Sequence, residues 1–239
     1  MMNNPMFKRH HHQRIAQILL TLDGALLLKY QCLFGGGTAV ALRYGEYRES
    51  VDIDFLVSDI DCYRRLRLLT TGTHGVAALF KQESSLITQT KEVRADHYGI
   101  RTMLQLAGQQ IKFEIILEGR IKLQHGSDTD SICGVATLSP LDMVTSKLLA
   151  NSDRWGDGSV FNRDLIDLAM IRPSRDMFRI AVAKAEQPYG RAIVKDLAKA
   201  IEKCQQLDWL EQCMRAMEIN IPKAVLWKHI RALQRMIPG

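Results

Sequence analysis

A chain of 239 residues, 46% hydrophobic and 24% charged, has the composition of an ordinary globular protein and enough length for one large domain or two small ones. No uninterrupted apolar stretch reaches the ~18 residues of a membrane span, so a membrane partner is not expected. The net charge of +6 is unevenly placed: from Arg172 onward there are thirteen Lys/Arg against seven Asp/Glu, which leaves the preceding residues neutral.

At the N-terminus the triplet His10–His12 precedes an amphipathic run (Ile15, Ile18, Leu19, Leu22) and is read as the polar, frayed start of a helix rather than a metal site. Residues 15–28 are greasy, but Gln17, Thr21 and Asp23 interrupt them and no small-residue cleavage site follows, which argues against a signal peptide. Residues 30–34 read as a strand running into Gly35-Gly36-Gly37, followed by a short helix over 38–44. Residues 51–57 alternate strictly, with Val51, Ile53, Phe55 and Val57 on one face of a strand and Asp52 and Asp54 on the other. A helix is expected over 59–69. A second alternating strand covers 111–117, with Lys112 and Glu114 on its polar face, and 132–138 is a last candidate strand.

After residue 138 the texture becomes helical. Ser139-Pro140-Leu141-Asp142 is a helix start, and helices are expected over 140–151, 161–171, 174–186, 189–205, 208–217 and 222–236. The last carries an apolar stripe (Leu226, Ile230, Leu233, Ile237) and a row of Lys228, Arg231 and Arg235. Such a basic surface attracts nucleic-acid phosphates, although solvated helix faces give the same pattern. The five cysteines are scattered and form no C-x-x-C pair, which points to a reducing, cytoplasmic setting.

The segment from Phe34 through Gly35-Gly36-Gly37-Thr38 to Asp52-Ile53-Asp54 is the one that reads as chemistry. A glycine turn between a strand and a helix lets backbone N–H groups approach a phosphate, the helix N-terminus favours the anion, and the Thr38 hydroxyl adds a donor. Two aspartates two apart on a strand share a face, so both can hold magnesium. A pair of such ions would orient a triphosphate and activate an attacking hydroxyl. Glu114 supplies a third carboxylate, with Glu118 as a rival on the same parity at an exposed strand end. Arg48 and Ser50, just before the acidic strand, either hold the loop or touch phosphate. A lone D-x-D on a half-wet strand, or a lone glycine loop, would mean little; their conjunction is far rarer.

The string Gly37-Thr38…Asp52-x-Asp54 resembles the G-[ST]-x(9–13)-D-x-[DE] signature of the nucleotidyltransferase superfamily, which has a DNA polymerase β-like fold. The fuller string Gly36-Gly37-Thr38-Ala39-Val40-Ala41-Leu42-Arg43-Tyr44-Gly45…Arg48-Glu49-Ser50-Val51-Asp52-Ile53-Asp54-Phe55 resembles the AbiEii/AbiGii toxin group, as do Lys147 on one later helix and Arg163-Asp164 on the next. The third acid departs from the superfamily pattern, where aspartate is commoner than Glu114.

The resemblance implies an α/β (α+β) nucleotidyltransferase core with a mixed β-sheet over residues 1–138 and an all-helical domain over 139–239, the active site lying in the cleft between them. It implies a nucleoside triphosphate such as ATP as substrate and Mg2+ as cofactor, two ions, with Mn2+ as a substitute. Asp52, Asp54 and Glu114 would be the metal ligands, and Gly36, Gly37, Thr38, Arg48, Ser50 and Lys147 the nucleotide contacts. Asp52, Asp54, Lys147 and Asp164 would be the catalytic set. Asp164 or Asp167 would orient Lys147 or act as an auxiliary base, while Arg163 and Asp167, at i and i+4, also suit a plain surface ion pair. A toxin-type enzyme acting on RNA such as tRNA, bound through the basic C-terminal helices and paired with a cognate antitoxin, is the expected function. The alternatives are adenylylation of a protein or small molecule, and a catalytically idle protein of the same fold that binds nucleic acid or a partner.

Overall fold

The computed structural model describes residues 7–81, 86–206 and 208–237. The chain forms two compact units, one of Met1–Glu46 with Ser50–Ser139, the other of Tyr47–Glu49 with Pro140–Gly239. The three-residue excursion at 47–49 is a feature no contiguous boundary anticipates.

The first unit begins with α1 (His10–Thr21), whose Ile15, Ile18 and Leu19 are fully buried, as is Leu22 just beyond it. Its start is not frayed: His12 is completely buried within α1. Then come α2 (Gly24–Lys29), β1 (Leu33–Phe34), α3 (Gly36–Arg43), β2 (Ile53–Val57), α4 (Ile60–Thr70), β3 (Ile87–Gln89), β4 (Arg94–Ala95), β5 (Gly99–Leu106) and β6 (Gln109–Leu117). The sheet order is β1-β2-β6-β5-β3, with β4 pairing β5. Only β2 and β6 run parallel among these pairs, so the sheet is mixed. Phe34, Phe55 and Phe113 form an aromatic ladder across β1, β2 and β6, with ring centroids 5.5 and 5.7 Å apart. Such pairs add about 0.5–1.5 kcal/mol each beyond their buried area, which fixes the face of β2 turned inward.

Several sequence expectations change here. The strand expected over 30–34 shrinks to Leu33–Phe34, because α2 occupies the residues before it and Tyr30 caps that helix. Val51 is exposed rather than on the buried face, since pairing on β2 starts only at Ile53. Residues 132–138 form no strand. Cys133 and Gly134 adopt positive φ, and the Ile132↔Val135 bridge closes a tight turn instead. The sequence reading passed over β5, the strand with the longest pairing to β6; a two-residue loop with positive φ at Ala107 and Gly108 joins the two.

The second unit is helical: α5 (Pro140–Arg154), α6 (Arg163–Ile171), α7 (Arg175–Tyr189), α8 (Ala192–Gln205), α9 (Trp209–Ala216) and α10 (Lys223–Gln234). Helix α5 packs against α6, α7 and α8, and α10 packs on α6. Leu148, Leu149, Leu165, Ile166 and Leu168 are fully buried, as are Leu226 and Ile230 of the α10 stripe. Tyr189 ends α7 rather than starting α8. Lys228, Arg231 and Arg235 are all exposed. The five cysteines are free. No helix among the described residues is long and apolar enough to cross a membrane.

Candidate active site

In the first unit the glycine turn is built against β2. Gly35 N donates to the Asp54 carbonyl at 2.9 Å, which ties the turn to the acidic strand. Gly36 has φ +67°, and a Cβ there would stand 2.8 Å from the Asp54 Cβ. Only glycine meets both conditions without strain. Gly36, Gly37 and Thr38 open α3, so their N–H groups have no intrahelical acceptor and sit at the positive end of the helix dipole. The Thr38 Oγ1 and Ser50 Oγ hydroxyls lie 2.8 Å apart; one proton serves that bond and the other remains to donate.

A buried relay holds this loop. Glu46 receives the backbone N–H groups of Lys8 (2.8 Å) and Arg9 (3.1 Å) and faces His12 Nδ1 at 2.9 Å. On the other side of the ring, Ser50 N donates to His12 Nε2 at 3.2 Å, which places the ring proton on Nδ1. Burial opposes ionisation of Glu46, but the donors from Lys8, Arg9 and His12 outweigh it and hold the carboxyl below its ordinary value. The chain Glu46–His12–Ser50–Thr38 therefore positions the two hydroxyls beside the glycine turn.

Asp52 lies one residue before β2 and Asp54 within it, both partly exposed. In register, Asp54 pairs with Glu114 on β6, and Glu114 pairs with Arg101 on β5, so the three share one face. Like charges opposite one another on adjacent strands repel. Here Glu114 is compensated: Oε1 is 3.0 Å from Arg101 Nε and Oε2 is 2.6 Å from Lys112 Nζ. Arg101 also reaches Asp96 at 3.1 Å. Glu114 thus stands level with Asp54, yet both its oxygens are engaged by cations, and among the described residues no three His, Cys, Asp or Glu side chains form a metal-holding group. The donors of Asp52 and Asp54 are hard carboxylate oxygens of the kind a divalent cation takes, and the missing Cβ of Gly36 makes room for the Asp54 side chain. Glu118, expected at an exposed strand end, is instead buried and bonded to Arg120 at 2.7 Å.

In the second unit a network of buried charges forms. Lys147 Nζ lies 3.0 Å from Asp164 Oδ1 and 2.7 Å from Asp167 Oδ2. Arg154 grips Asp164 through Nε (2.7 Å) and Nη2 (3.0 Å). Arg48 does the same to Asp167, at 2.7 and 3.0 Å, and Tyr47 OH donates to Asp167 at 2.5 Å. Burial would push both aspartates up, but the cations outweigh it: Lys147 then Arg154 hold Asp164 well below the usual carboxylate range, and Arg48 then Lys147 hold Asp167 below its ordinary value. Asp167 is completely buried and forms ion pairs with Arg48 and Lys147, so the surface pair with Arg163 is replaced by a core network.

Several contributors, Glu46 and Tyr47 among them, are not singled out by the sequence. Arg154 lies seven residues after Lys147 on α5, hence on the same face, and Lys112 lies two before Glu114 on a strand; both spacings were legible. His12 and Arg101 depend on long-range pairing that no local pattern reveals.

The profile of the family described as nucleotidyl transferase AbiEii toxin, Type IV TA system, matches residues 18–227. No curated protein matches the chain. Among solved structures, JHP933 from Helicobacter pylori is similar at 16% identity and TM-score 0.51, covering 97% of this chain and 94% of its own. A proposed nucleotidyltransferase from H. pylori is similar at 15% identity and TM-score 0.50, with 99% and 97% covered. At such identity these likenesses concern the fold. The profile match spans most of both units, and the chain belongs to the AbiEii nucleotidyltransferase toxin family.

Proposed function

We propose that this enzyme moves a nucleoside monophosphate from a nucleoside triphosphate to a hydroxyl of an RNA such as tRNA, in a magnesium-dependent reaction. The observation that carries the reading is the packing of the Gly36 turn on Asp54, which brings the N-terminus of α3 beside the acidic strand. Gly36, Gly37 and Thr38 hold phosphate oxygens, and Ser50 keeps the Thr38 hydroxyl aimed. Asp52 and Asp54 would hold the divalent cation. Glu114 would join them by giving up Lys112, whose side chain is half exposed and can return to solvent. When bound, the cation supplies charge against the negative charge that develops on the phosphate and acidifies the attacking hydroxyl.

The acceptor oxygen attacks the α-phosphorus in line, the bond to the bridging oxygen breaks, pyrophosphate departs, and the hydroxyl proton passes to solvent. In the helical unit Lys147 spends two N–H donors on Asp164 and Asp167, leaving a third for a phosphate oxygen. Asp164, held ionised by two cations, is a weak base and acts by positioning Lys147. Arg48 is committed to Asp167 and supports that lysine through it. The family's name places a cognate antitoxin among the expected partners.

The test is incubation with each α-labelled triphosphate, magnesium, and either total RNA or cell lysate. Label running with RNA supports the reading. Label on protein or on a small molecule, with none on RNA, would move the acceptor to the adenylylation alternative.

A further inference from the structure

The helical unit holds a cavity of about 450 Å3 that takes no part in the site above. This volume falls within the ~300–1,000 Å3 range of ligand sites. Arg172, Pro173 and Arg175 line it from the corner between α6 and α7, and His229, Leu233 and Arg235 line it from α10. Its lining contains three arginines and no acidic side chain. None of the three arginines has an acidic partner among the described residues. Arg175 is the first residue of the fifteen-residue α7, so the positive end of that helix dipole lies at the cavity wall. The His229 Nδ1 atom is buried there without a hydrogen-bond partner among the described residues. Unpaired guanidinium groups, a helix N-terminus and an unsatisfied imidazole nitrogen around one concavity leave a positive charge without its counterion.

We propose that this cavity binds a phosphate of the RNA acceptor. Guanidinium forks match phosphate oxygens in pairs, and arginine is favoured where such recognition matters. RNA fits better than a free anion because Arg235 belongs both to the cavity and to the exposed row with Lys228 and Arg231. A phosphodiester chain seated in the cavity continues along that row, whereas a lone phosphate leaves it unused. The proposal rests on RNA being the acceptor, and the experiment below separates the two claims.

Binding of a labelled single-stranded RNA is measured by anisotropy across a salt series for the wild type and for Arg172→Glu/Arg175→Glu/Arg235→Glu. A control, Arg179→Glu/Arg191→Glu/Lys195→Glu, makes the same charge change on exposed positions outside the cavity. The cavity variant should lose about tenfold or more in affinity and flatten the salt slope by about 0.7 or more, the share of one phosphate contact on single strands. The control should stay within about threefold of wild type on the same basis. Equal losses in both variants, or no loss in the cavity variant, overturn the proposal. In a second arm inorganic phosphate is titrated while the His229 ring resonances are followed. Burial and the neighbouring Arg172 and Lys228 hold that imidazole below its ordinary pKa, so an arriving anion shifts it upward. A phosphate response with unchanged RNA affinity in the cavity variant also overturns the RNA occupant and leaves a free-anion site. If wild type labels RNA but the cavity variant binds it normally, the cavity proposal fails and the transfer reading stands. If label never enters RNA while the cavity variant alone loses RNA binding, the acceptor reading fails and the cavity stands.

Discussion

Gly36 and Asp54 are packed so closely that a Cβ on residue 36 would stand 2.8 Å from the Asp54 Cβ, while the backbone at 36 holds φ +67°. The glycine turn and the acidic strand are therefore one mechanical piece: displacing either displaces the other. The Gly35 N–H on the Asp54 carbonyl reinforces the link.

Gly36→Ala should cost about 1–3 kcal/mol of stability from the left-handed backbone alone. It should also lower nucleotide transfer by more than tenfold, because the new methyl pushes the Asp54 side chain aside. Denaturant midpoints and transfer rates on the same preparation check both. Full activity in the alanine variant would mean that the turn and the strand move independently.

On the reading proposed above, the ion pairs of Glu114 set how much magnesium transfer needs. Lys112→Ala frees one Glu114 oxygen and should lower the half-saturating Mg2+ severalfold, whereas Glu114→Gln should raise it about tenfold, the loss of a charged ligand. Magnesium titration of the transfer rate reads both. An unchanged requirement in Glu114→Gln would leave Asp52 and Asp54 as the acidic ligands and Glu114 as a structural ion pair.

Asp167 anchors two cations inside the helical unit. Asp167→Ala strands Arg48 in the core and leaves Lys147 with Asp164 alone, and breaking a buried pair in this way costs about 3–5 kcal/mol. Arg163→Ala should stay within about 0.5 kcal/mol, as surface changes do. Urea unfolding of the two variants decides it, and comparable losses would contradict the network.

Acid should weaken the helical unit through the same pair. Asp164 and Asp167 both have folded pKa values below the ordinary ~3.9 of an unfolded aspartate, so the unfolded chain takes up protons first as pH falls. Their contribution is present in full above about pH 5 and is lost progressively below it. Urea midpoints at pH 7, 5 and 3 should fall mainly between the last two, and the fall should be shallower in Asp167→Asn. A midpoint that rises on acidification would reverse the sign of the argument.

The sequence exposes what repeats locally and hides what pairs at a distance. The alternation of Ile53 to Val57 and the spacing of the glycine turn were legible because strand parity and turn chemistry are local. Lys147 and Asp164 were legible only through family resemblance, and their mutual bond depends on α5 meeting α6. Arg101 was missed because β5 was missed: its two-residue turn at Ala107-Gly108 was a usable signal, but its register on Glu114 is a tertiary fact. His12 read as a polar helix start because nothing near it in sequence announces Glu46 or Ser50. Arg48 read as a loop or phosphate residue, while its partner lies 119 positions away.

We propose that Asp52 and Asp54 make nucleotide transfer depend on a divalent cation. The most direct measurement is α-label transfer from the triphosphate by wild type, Asp52→Ala and Asp54→Ala over a magnesium titration, with each fold checked by circular dichroism. Wild type should transfer label only when magnesium is present, and each variant should fall by about 10²–10³-fold or more with its fold intact. Near-wild-type transfer by either folded variant, or full wild-type transfer in excess EDTA, would contradict the account.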